Sequence, residues 1–129
     1  MTYLLIGAAV LLVLFVLPKL LLRLAARGKF ENIDTDRFRE LTQSPDTVVL
    51  DVRQPGEVAQ GKIKGAKVIN VMSPDFAEKA AQLPRDKTYL VYCRSGNRSA
   101  LACGKMAGLG FEKLYNLEGG YMAWRRREA

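Results

Sequence analysis

The chain of 129 residues contains no histidine and only two cysteines. Without histidine, a cysteine nucleophile cannot be activated through a Cys–His pair. Two cysteines without histidine also argue against a zinc site, because structural zinc takes four cysteine or histidine ligands, and no cofactor is expected. The chain has no repeat or low-complexity tract. Its length corresponds to one domain of about 100 to 150 residues with little left over.

Charged residues are missing from positions 3–17, where the sequence reads YLLIGAAVLLVLFVL. Apolar character continues through Pro18 and Lys19 into LLL, so about 20 residues can cross a bilayer as one helix of roughly 30 Å. A cleaved signal peptide would begin with basic residues, and none precedes this run. A buried helix of a soluble domain would have a polar face, which is absent before Lys19. We therefore predict a transmembrane anchor, in which Lys19 extends toward the headgroups and Pro18 introduces at most a kink.

The C-terminal flank of this apolar run is basic and contains Lys19, Arg23, Arg27 and Lys29 without an acidic residue. Because positive flanks stay in the cytoplasm, we predict that residues 1–29 form the anchor and basic linker of a single-pass inner-membrane protein with a cytoplasmic catalytic domain. Of the net charge of +7, only +3 remains after the flank, from 16 basic and 13 acidic residues. That modest excess argues against a nucleic-acid partner, and the flank itself suits anionic lipid headgroups.

From residue 30 to residue 129, short β-branched runs alternate with helical patterns. Strands that are apolar on both faces and separated by helices indicate a parallel sheet covered on both sides. The predicted fold class is α/β, a parallel sheet flanked by helices and preceded by one transmembrane helix. The predicted elements are a helix over DTDRFRELTQ capped by Asp34 or Thr35, strands over TVVLDV and AKVINV, a helix over SPDFAEKAAQL with Ser73 as cap and Pro74 in its first turn, a strand over TYLVYC, a helix over RSALACGKMAGLG ending at Gly108 or Gly110, a strand and turn over KLYNLEGG, and a short helix over YMAWRRR.

Cys93 follows the apolar run TYLVY and precedes the loop RSGNR, which leads into a predicted helix. The carboxyl ends of parallel strands border the ligand crevice of such folds. A helix start and nearby cations both stabilise an anion. Together with Arg94 and Arg98, the helix start should therefore lower the thiol pKa from about 8.5 into the range of roughly 3.5 to 7.5. Cys93 is the candidate nucleophile, and it requires no histidine base.

An ordinary buried thiol at the end of a core strand is the alternative interpretation of Cys93. Gly96, which permits close backbone approach, the two arginines, and Ser99 as a possible helix cap favour a reactive thiol instead. Cys103 could be a resolving thiol, but it lies at least one helical turn into the helix, and a disulfide needs Cα atoms within roughly 7 Å. Its small neighbours favour packing, so we predict that Cys103 belongs to the core.

Three segments share their pattern with a known family. VVLDVRQPGEVAQGKIKGAKVINV has a strand ending in Asp-x-Arg, then a Glu, then a Gly-x-Ile-x-Gly-Ala turn; YCRSGNRSALA has a cysteine loop followed by a helix; LYNLEGGYMAW has a Leu-x-Gly-Gly turn and a Trp. In these features the chain resembles the rhodanese, or thiosulfate sulfurtransferase, family over nearly all of residues 30–129. The resemblance implies a single rhodanese-like domain carried on an N-terminal membrane anchor.

The resemblance further implies a sulfurtransferase in which Cys93 carries sulfur as a persulfide. The donor would be thiosulfate or another small anionic persulfide donor, and the acceptor would be cyanide, a thiol or a protein. Two positions depart from the family pattern, since Lys62 stands where many members have histidine and Val58 where an aromatic residue is common. These departures concern substrate preference rather than the nucleophile. The anion would be cradled by the loop and helix start formed by Arg94, Ser95, Gly96, Asn97, Arg98 and Ser99.

Other roles are open for this pattern. Phosphatases and arsenate reductases of the same fold have five residues between the cysteine and the arginine, whereas CRSGNR has four, so sulfur chemistry is favoured. A sulfur-relay or binding module recruited to a membrane partner is the other alternative. Asp51, Arg53 and Glu57 are expected to brace the loop through hydrogen bonds rather than to react.

Overall fold

The chain begins with a long apolar helix. A computed structural model describes residues 2–26 and 29–128, and its first elements are α1 (Thr2–Leu11), a π-helical stretch (Leu12–Val16) and α2 (Leu17–Ala26). The widened turn includes Leu14, four residues before Pro18, and the ring of Pro18 would clash with the Leu14 carbonyl in a regular helix.

The apolar helix meets the length and composition of a membrane span. Thr2–Leu21 has a mean hydropathy of 2.7, and none of it is buried. A signal sequence near an N-terminus meets the same two criteria. Arg27 and Gly28 of the predicted linker, and Ala129 at the end of the predicted domain, lie outside the described residues.

A five-stranded parallel sheet forms the centre of the remaining chain. Its order is β1-β5-β4-β2-β3, so that β4 lies in the middle with neighbours on both sides. The four residues 89–92 of β4 are completely buried, which explains why this run is apolar on both faces. The strands are β1 (Glu31–Ile33), β2 (Thr47–Asp51), β3 (Lys67–Val68), β4 (Thr88–Tyr92) and β5 (Leu114–Leu117).

Helices cover both faces of the sheet and create two apolar clusters. Alternate residues of β4 enter opposite clusters: Val91 lies on the side of Phe76 and Met106, and Tyr92 lies on the side of Phe38 and Trp124. Cys93, the residue after β4, lies in the same cluster as Val91. The predicted α/β class, a parallel sheet flanked by helices, is confirmed. The helices are α3 (Thr35–Leu41), α4 (Pro55–Ala59), α5 (Phe76–Ala81), α6 (Asn97–Gly108) and α7 (Gly120–Glu128).

The connections diverge between β2 and β4, which are neighbours in the sheet. From β2 the chain proceeds to β3 on one side, and from β4 it proceeds to β5 on the other. Open parallel sheets bind ligands at such a switch point, beyond the carboxyl ends of the strands. Asp51 pairs with Tyr92 at the ends of these two strands, so Cys93 lies directly at the switch point.

Most predicted elements are present, with shifted boundaries. Asp34 caps α3 as predicted, since its carboxylate accepts the Arg37 N–H at 2.8 Å. The predicted strand AKVINV is shorter, because β3 is an edge strand and the Asn70 side chain accepts the Met72 N–H at 3.0 Å in a turn that ends the extended segment.

The start predicted for the helix over SPDFAEKAAQL, which is α5, was wrong. Ser73 does not cap it; its hydroxyl bonds the carboxylate of Asp75, and α5 begins at Phe76. Pro74 lies in the preceding turn rather than in the helix. The strand β1 and the helix α4 were not predicted, because three and five residues are too few to show a period.

Candidate active site

Cys93 lies between the end of β4 and the start of α6. Its side chain is buried, with 0% of the residue exposed. The sulfur accepts hydrogen bonds from the Gly96 backbone N–H at 3.1 Å and from the Ser99 hydroxyl at 3.3 Å. Because no part of Cys93 is exposed in this state, a reactant reaches the sulfur only when the rim of the loop moves.

These hydrogen bonds change the acidity of the thiol. Burial of Cys93 opposes ionisation, but the Ser99 hydroxyl and the backbone N–H groups of Ser99, Gly96 and Ser95 outweigh it, so the pKa lies below its ordinary value. Hydrogen bonds to the charged form favour that form. The predicted lowering of the pKa is therefore present, and hydrogen-bond donors at the helix start are its main cause.

Gly96 allows the loop to turn its backbone N–H toward the sulfur. It adopts φ +108°, a left-handed conformation that favours glycine, and a Cβ there would lie 3.3 Å from the Leu117 carbonyl oxygen. The helix α6 begins at Asn97, so Gly96 rather than Ser99 occupies the cap position. The predicted cap was wrong: Ser99 lies in the first turn of α6, and its hydroxyl bonds the sulfur instead of the helix backbone.

The first turn of α7 holds the other side of the same loop. The Tyr121 N–H donates to the carbonyl of Cys93 at 2.8 Å, and the Met122 N–H donates to the carbonyl of Arg94 at 3.1 Å. In a trans peptide the N–H points opposite to the carbonyl. Binding these carbonyls to α7 therefore turns the N–H groups of the next two residues away from α7.

Gly120 makes this approach of α7 possible. Its φ is +59°, and a Cβ would lie only 2.4 Å from the Arg94 carbonyl oxygen and 2.6 Å from that of Cys93. Sequence reasoning identified the Gly-Gly turn only as part of a family pattern and missed this role. The available signal was a pair of adjacent glycines at a helix start.

Arg98 and Glu57 form a bidentate ion pair, with distances of 2.6 and 2.8 Å. Both side chains are about one quarter exposed, at 27% and 29%. The hydrogen bond from Arg98 is the main reason that the pKa of Glu57 lies below its ordinary value. The pair joins α4 to the first turn of α6, and much of the Arg98 charge is directed to this carboxylate rather than to the sulfur.

Asp51 and Arg53 form a second, fully buried pair, with Arg53 Nη2 at 2.7 Å from Asp51 Oδ2. Tyr92 also donates its hydroxyl to Asp51 at 2.6 Å, and Arg53 donates to the carbonyl of Gly61 at 2.7 Å. Burial is the main cause that raises the pKa of Tyr92 above its ordinary value. The pair thus ties the last residue of β4 to the segment after α4, and its hydrogen bonds do not go to residues 94–99.

Asn116 is a buried polar residue beside the loop that sequence reasoning missed. Its amide donates to the carbonyl of Gly96 at 3.1 Å and to Asn32 Oδ1 at 2.9 Å. The same glycine donates its N–H to the sulfur. Asn116 therefore holds the residue whose peptide faces Cys93. The signal in the sequence was a polar residue inside the otherwise apolar strand β5.

A cleft of ≈ 290 Å³ adjoins the loop on the side of α7. Its lining includes Arg53, Glu57, Arg94, Tyr121 and Arg125. Among the lining residues, Arg94 directly follows Cys93 in the sequence. Ser95 and Asn97, the remaining loop residues predicted to bind substrate, are exposed.

The second cysteine lies in the core, as predicted. Cys103 is completely buried in α6 within the same apolar cluster as Met106 and Ala102. Burial raises the pKa of the Cys103 thiol to about 12. The two thiols therefore differ in their surroundings: the Cys93 sulfur accepts hydrogen bonds from donors at a helix start, whereas the Cys103 thiol lies in an apolar environment.

Comparison with known proteins agrees with this geometry. The profile of the rhodanese-like domain matches residues 34–127. The chain belongs to the rhodanese family. A sulfurtransferase of Allochromatium vinosum is 34% identical over 96 residues, which cover 74% of this chain and 88% of the relative. The thiosulfate sulfurtransferase GlpE of Pseudomonas putida is 35% identical over 99 residues, which cover 76% and 87%.

Solved structures show the same rhodanese fold. A rhodanese-related protein from Thermoplasma volcanium superposes with a TM-score of 0.66 at 34% identity, covering 75% of this chain and 92% of that one. The human single-domain sulfurtransferase superposes with a TM-score of 0.65 at 25% identity, covering 75% and 97%. This chain is accordingly a single-domain rhodanese-type transferase, and its family implies a sulfur donor and a sulfur acceptor as substrates.

Proposed function

We propose that this rhodanese moves sulfane sulfur from thiosulfate or another persulfide donor to a thiophilic acceptor through a persulfide on Cys93. The observation that carries the proposal is the pair of donors on the sulfur, the Gly96 N–H at 3.1 Å and the Ser99 hydroxyl at 3.3 Å. They stabilise a thiolate without a histidine base, which this chain lacks.

In the first half-reaction the Cys93 thiolate attacks the outer sulfur of thiosulfate. A sulfur–sulfur bond to Cys93 forms, the bond within thiosulfate breaks, and sulfite leaves with the electron pair. The enzyme then holds a persulfide anion. The N–H groups at the start of α6 and the guanidinium of Arg94 offset the repulsion between the thiolate and the dianionic donor.

In the second half-reaction a nucleophilic acceptor such as cyanide, a thiol or a protein attacks the outer sulfur of the persulfide. The bond between the two enzyme sulfurs breaks, and its electron pair returns to Cys93 as a thiolate. The Gly96 N–H and the Ser99 hydroxyl already bond this sulfur, so they stabilise the leaving thiolate. Two separate half-reactions predict ping-pong kinetics.

The test is thiocyanate formation from thiosulfate and cyanide by the full chain in detergent. Cys93→Ser should abolish turnover, because serine cannot form a persulfide. Cys103→Ala is the matched control: it removes the other thiol and should retain activity. After thiosulfate treatment, mass spectrometry should find one added sulfur atom on the peptide containing Cys93. Full activity in Cys93→Ser would contradict the mechanism.

A sulfur-relay role is the second candidate, and the complete burial of Cys93 favours it, because access then depends on movement of the rim. Fast turnover without a partner would support the enzyme, whereas slow turnover with a stable persulfide on Cys93 would support the relay. A phosphatase role is disfavoured by the loop, which has four residues between Cys93 and Arg98. Hydrolysis of p-nitrophenyl phosphate at rates comparable to sulfur transfer would instead favour the phosphatase role.

We also propose that the apolar helix Thr2–Leu21 anchors the domain on the cytoplasmic side of the inner membrane. Its mean hydropathy of 2.7 and its 20 residues suit one bilayer crossing. Lys29 and the other bases of the C-terminal flank set the orientation. The protein should remain in the membrane fraction after an alkaline wash, and added protease should digest the domain in inverted vesicles but not in spheroplasts. A mature protein without residues 1–21 would contradict the anchor.

A further inference from the structure

The cleft beside the loop is larger than the proposed donor needs. A water molecule occupies about 30 Å³ in the liquid, so ≈ 290 Å³ has room for several more atoms than thiosulfate contains. The oxygens of thiosulfate lie next to its reacting sulfur, within reach of the loop amides. The cleft, in contrast, is lined both by Arg94 in the loop and by Arg125 on α7. Its additional space therefore suits a reactant whose second polar group is separated from the reacting sulfur by a spacer.

Two of the four charged residues that line the cleft form ion pairs within the described residues, and two do not. Arg53 is paired with Asp51, and Glu57 is paired with Arg98. Within the described part of the chain, Arg94 and Arg125 form no ion pair. Both are exposed, and together they give the cleft two available positive charges.

The other α7 residues in the lining of the cleft are aromatic and apolar. They contribute the half-buried ring of Tyr121 and the side chain of Met122, which is 43% exposed. The guanidinium of Arg53 lies 4.4 Å from the centre of the Tyr121 ring and keeps that ring in place. A short carbon chain can pack on this surface while its end meets a guanidinium.

We propose that this cleft selects thiol acceptors that carry a carboxylate, with Arg125 and Arg94 binding the carboxylate. A guanidinium presents paired donors that match a carboxylate. This proposal rests on the proposed sulfurtransferase function. The acceptor thiolate attacks the outer sulfur of the Cys93 persulfide and forms a new sulfur–sulfur bond. The bond to Cys93 breaks, its electron pair returns to Cys93, and the acceptor leaves as a persulfide.

The experiment compares 3-mercaptopropionate with 3-mercaptopropionamide, which has the same length but no charge. Sulfite release by the full chain in detergent is measured at saturating thiosulfate, and the ratio of kcat/KM for the two acceptors is determined. Arg125→Gln should lower this ratio by about five- to tenfold, since it removes a charged hydrogen-bond donor. Arg125→Lys should retain part of the preference. Arg126→Gln removes the same charge from the next residue, which does not line the cleft, and should leave the ratio unchanged.

The following outcomes would contradict the proposal that Arg125 and Arg94 bind the carboxylate of the acceptor. An unchanged ratio in Arg125→Gln, or an equal fall in Arg126→Gln, would show that no specific carboxylate contact exists. A rise in the KM of thiosulfate with an unchanged acceptor ratio would show that the cleft serves the donor. A wild-type protein that transfers sulfur to cyanide but shows no Arg125-dependent preference would overturn only this inference. A wild type that transfers sulfur to no acceptor would overturn the proposed function as well.

Discussion

The Ser99 hydroxyl is the side-chain group that contributes most to the low pKa of Cys93. It lies 3.3 Å from the sulfur and is itself buried, so water cannot easily replace it. A hydrogen bond to a charged group contributes about 1.5 to 3 kcal/mol, and one pKa unit corresponds to about 1.4 kcal/mol. Ser99→Ala should therefore raise the pKa of Cys93 by about one to two units.

The pKa is measured from the pH dependence of alkylation by iodoacetamide and from thiolate absorbance. Cys103 does not interfere, because burial raises its pKa to about 12. Ser95→Ala is the matched control. It removes an exposed hydroxyl from the same loop but keeps the backbone N–H directed at the sulfur, and it should leave the pKa unchanged. An unchanged pKa in Ser99→Ala, or an equal rise in Ser95→Ala, would refute the reasoning.

The same substitution predicts a pH-dependent effect on stability. Because the folded state lowers the pKa of Cys93, the thiolate contributes stability fully above the ordinary thiol pKa, and this contribution is lost as pH falls through the lower folded value. Ser99→Ala should therefore reduce the free energy of unfolding more at pH 9 than at pH 5. Chemical denaturation of wild type and variant at both pH values checks the sign, because other titrating groups cancel in the difference.

Three further substitutions test the support of the loop. Gly120→Ala should reduce the free energy of unfolding by about 3 kcal/mol or more, because a Cβ would lie 2.4 Å from a backbone oxygen. Gly104→Ala is the control, because a Cβ there meets no atom within 4 Å; it should be neutral or slightly stabilising in the same denaturation experiment. Asn116→Leu releases the carbonyl of Gly96 and should slow iodoacetamide alkylation of Cys93 at neutral pH; an unchanged alkylation rate would contradict this role. Arg98→Ala should mainly raise the thiosulfate KM, since the brace between α4 and α6 is lost; a fall in kcat alone would count against it.

Local sequence signals predicted a large part of the fold. The central strand β4 is apolar on both faces because both faces are covered, so its residue types alone indicate that it is buried. The cap at Asp34 and the helix that follows Cys93 also depend on neighbouring residues alone. Cys93 itself was predictable, because a cysteine between a buried strand and a helix start combines two local signals in one short segment.

Contacts between distant segments could not be predicted in the same way. The ion pair of Arg98 with Glu57 joins residues 41 positions apart, and the hydrogen bond of Asn116 to Gly96 joins residues 20 apart. The sequence neighbours of each partner do not indicate which distant group it will contact. Sequence reasoning expected Arg98 to help lower the thiol pKa and to help cradle the anion, whereas the fold directs its guanidinium to a carboxylate on α4.

The amino-acid sequence by itself determined the α/β class, the apolar N-terminal helix and the place of Cys93 between a strand end and a helix start, because periodicity, charge and helix starts are properties of consecutive residues. Only the tertiary structure decided which donors face the sulfur and which arginines remain available to a reactant. It did so because α4, α6 and α7 meet at the ends of β2 and β4, where a glycine without a side chain lets two backbones approach closely.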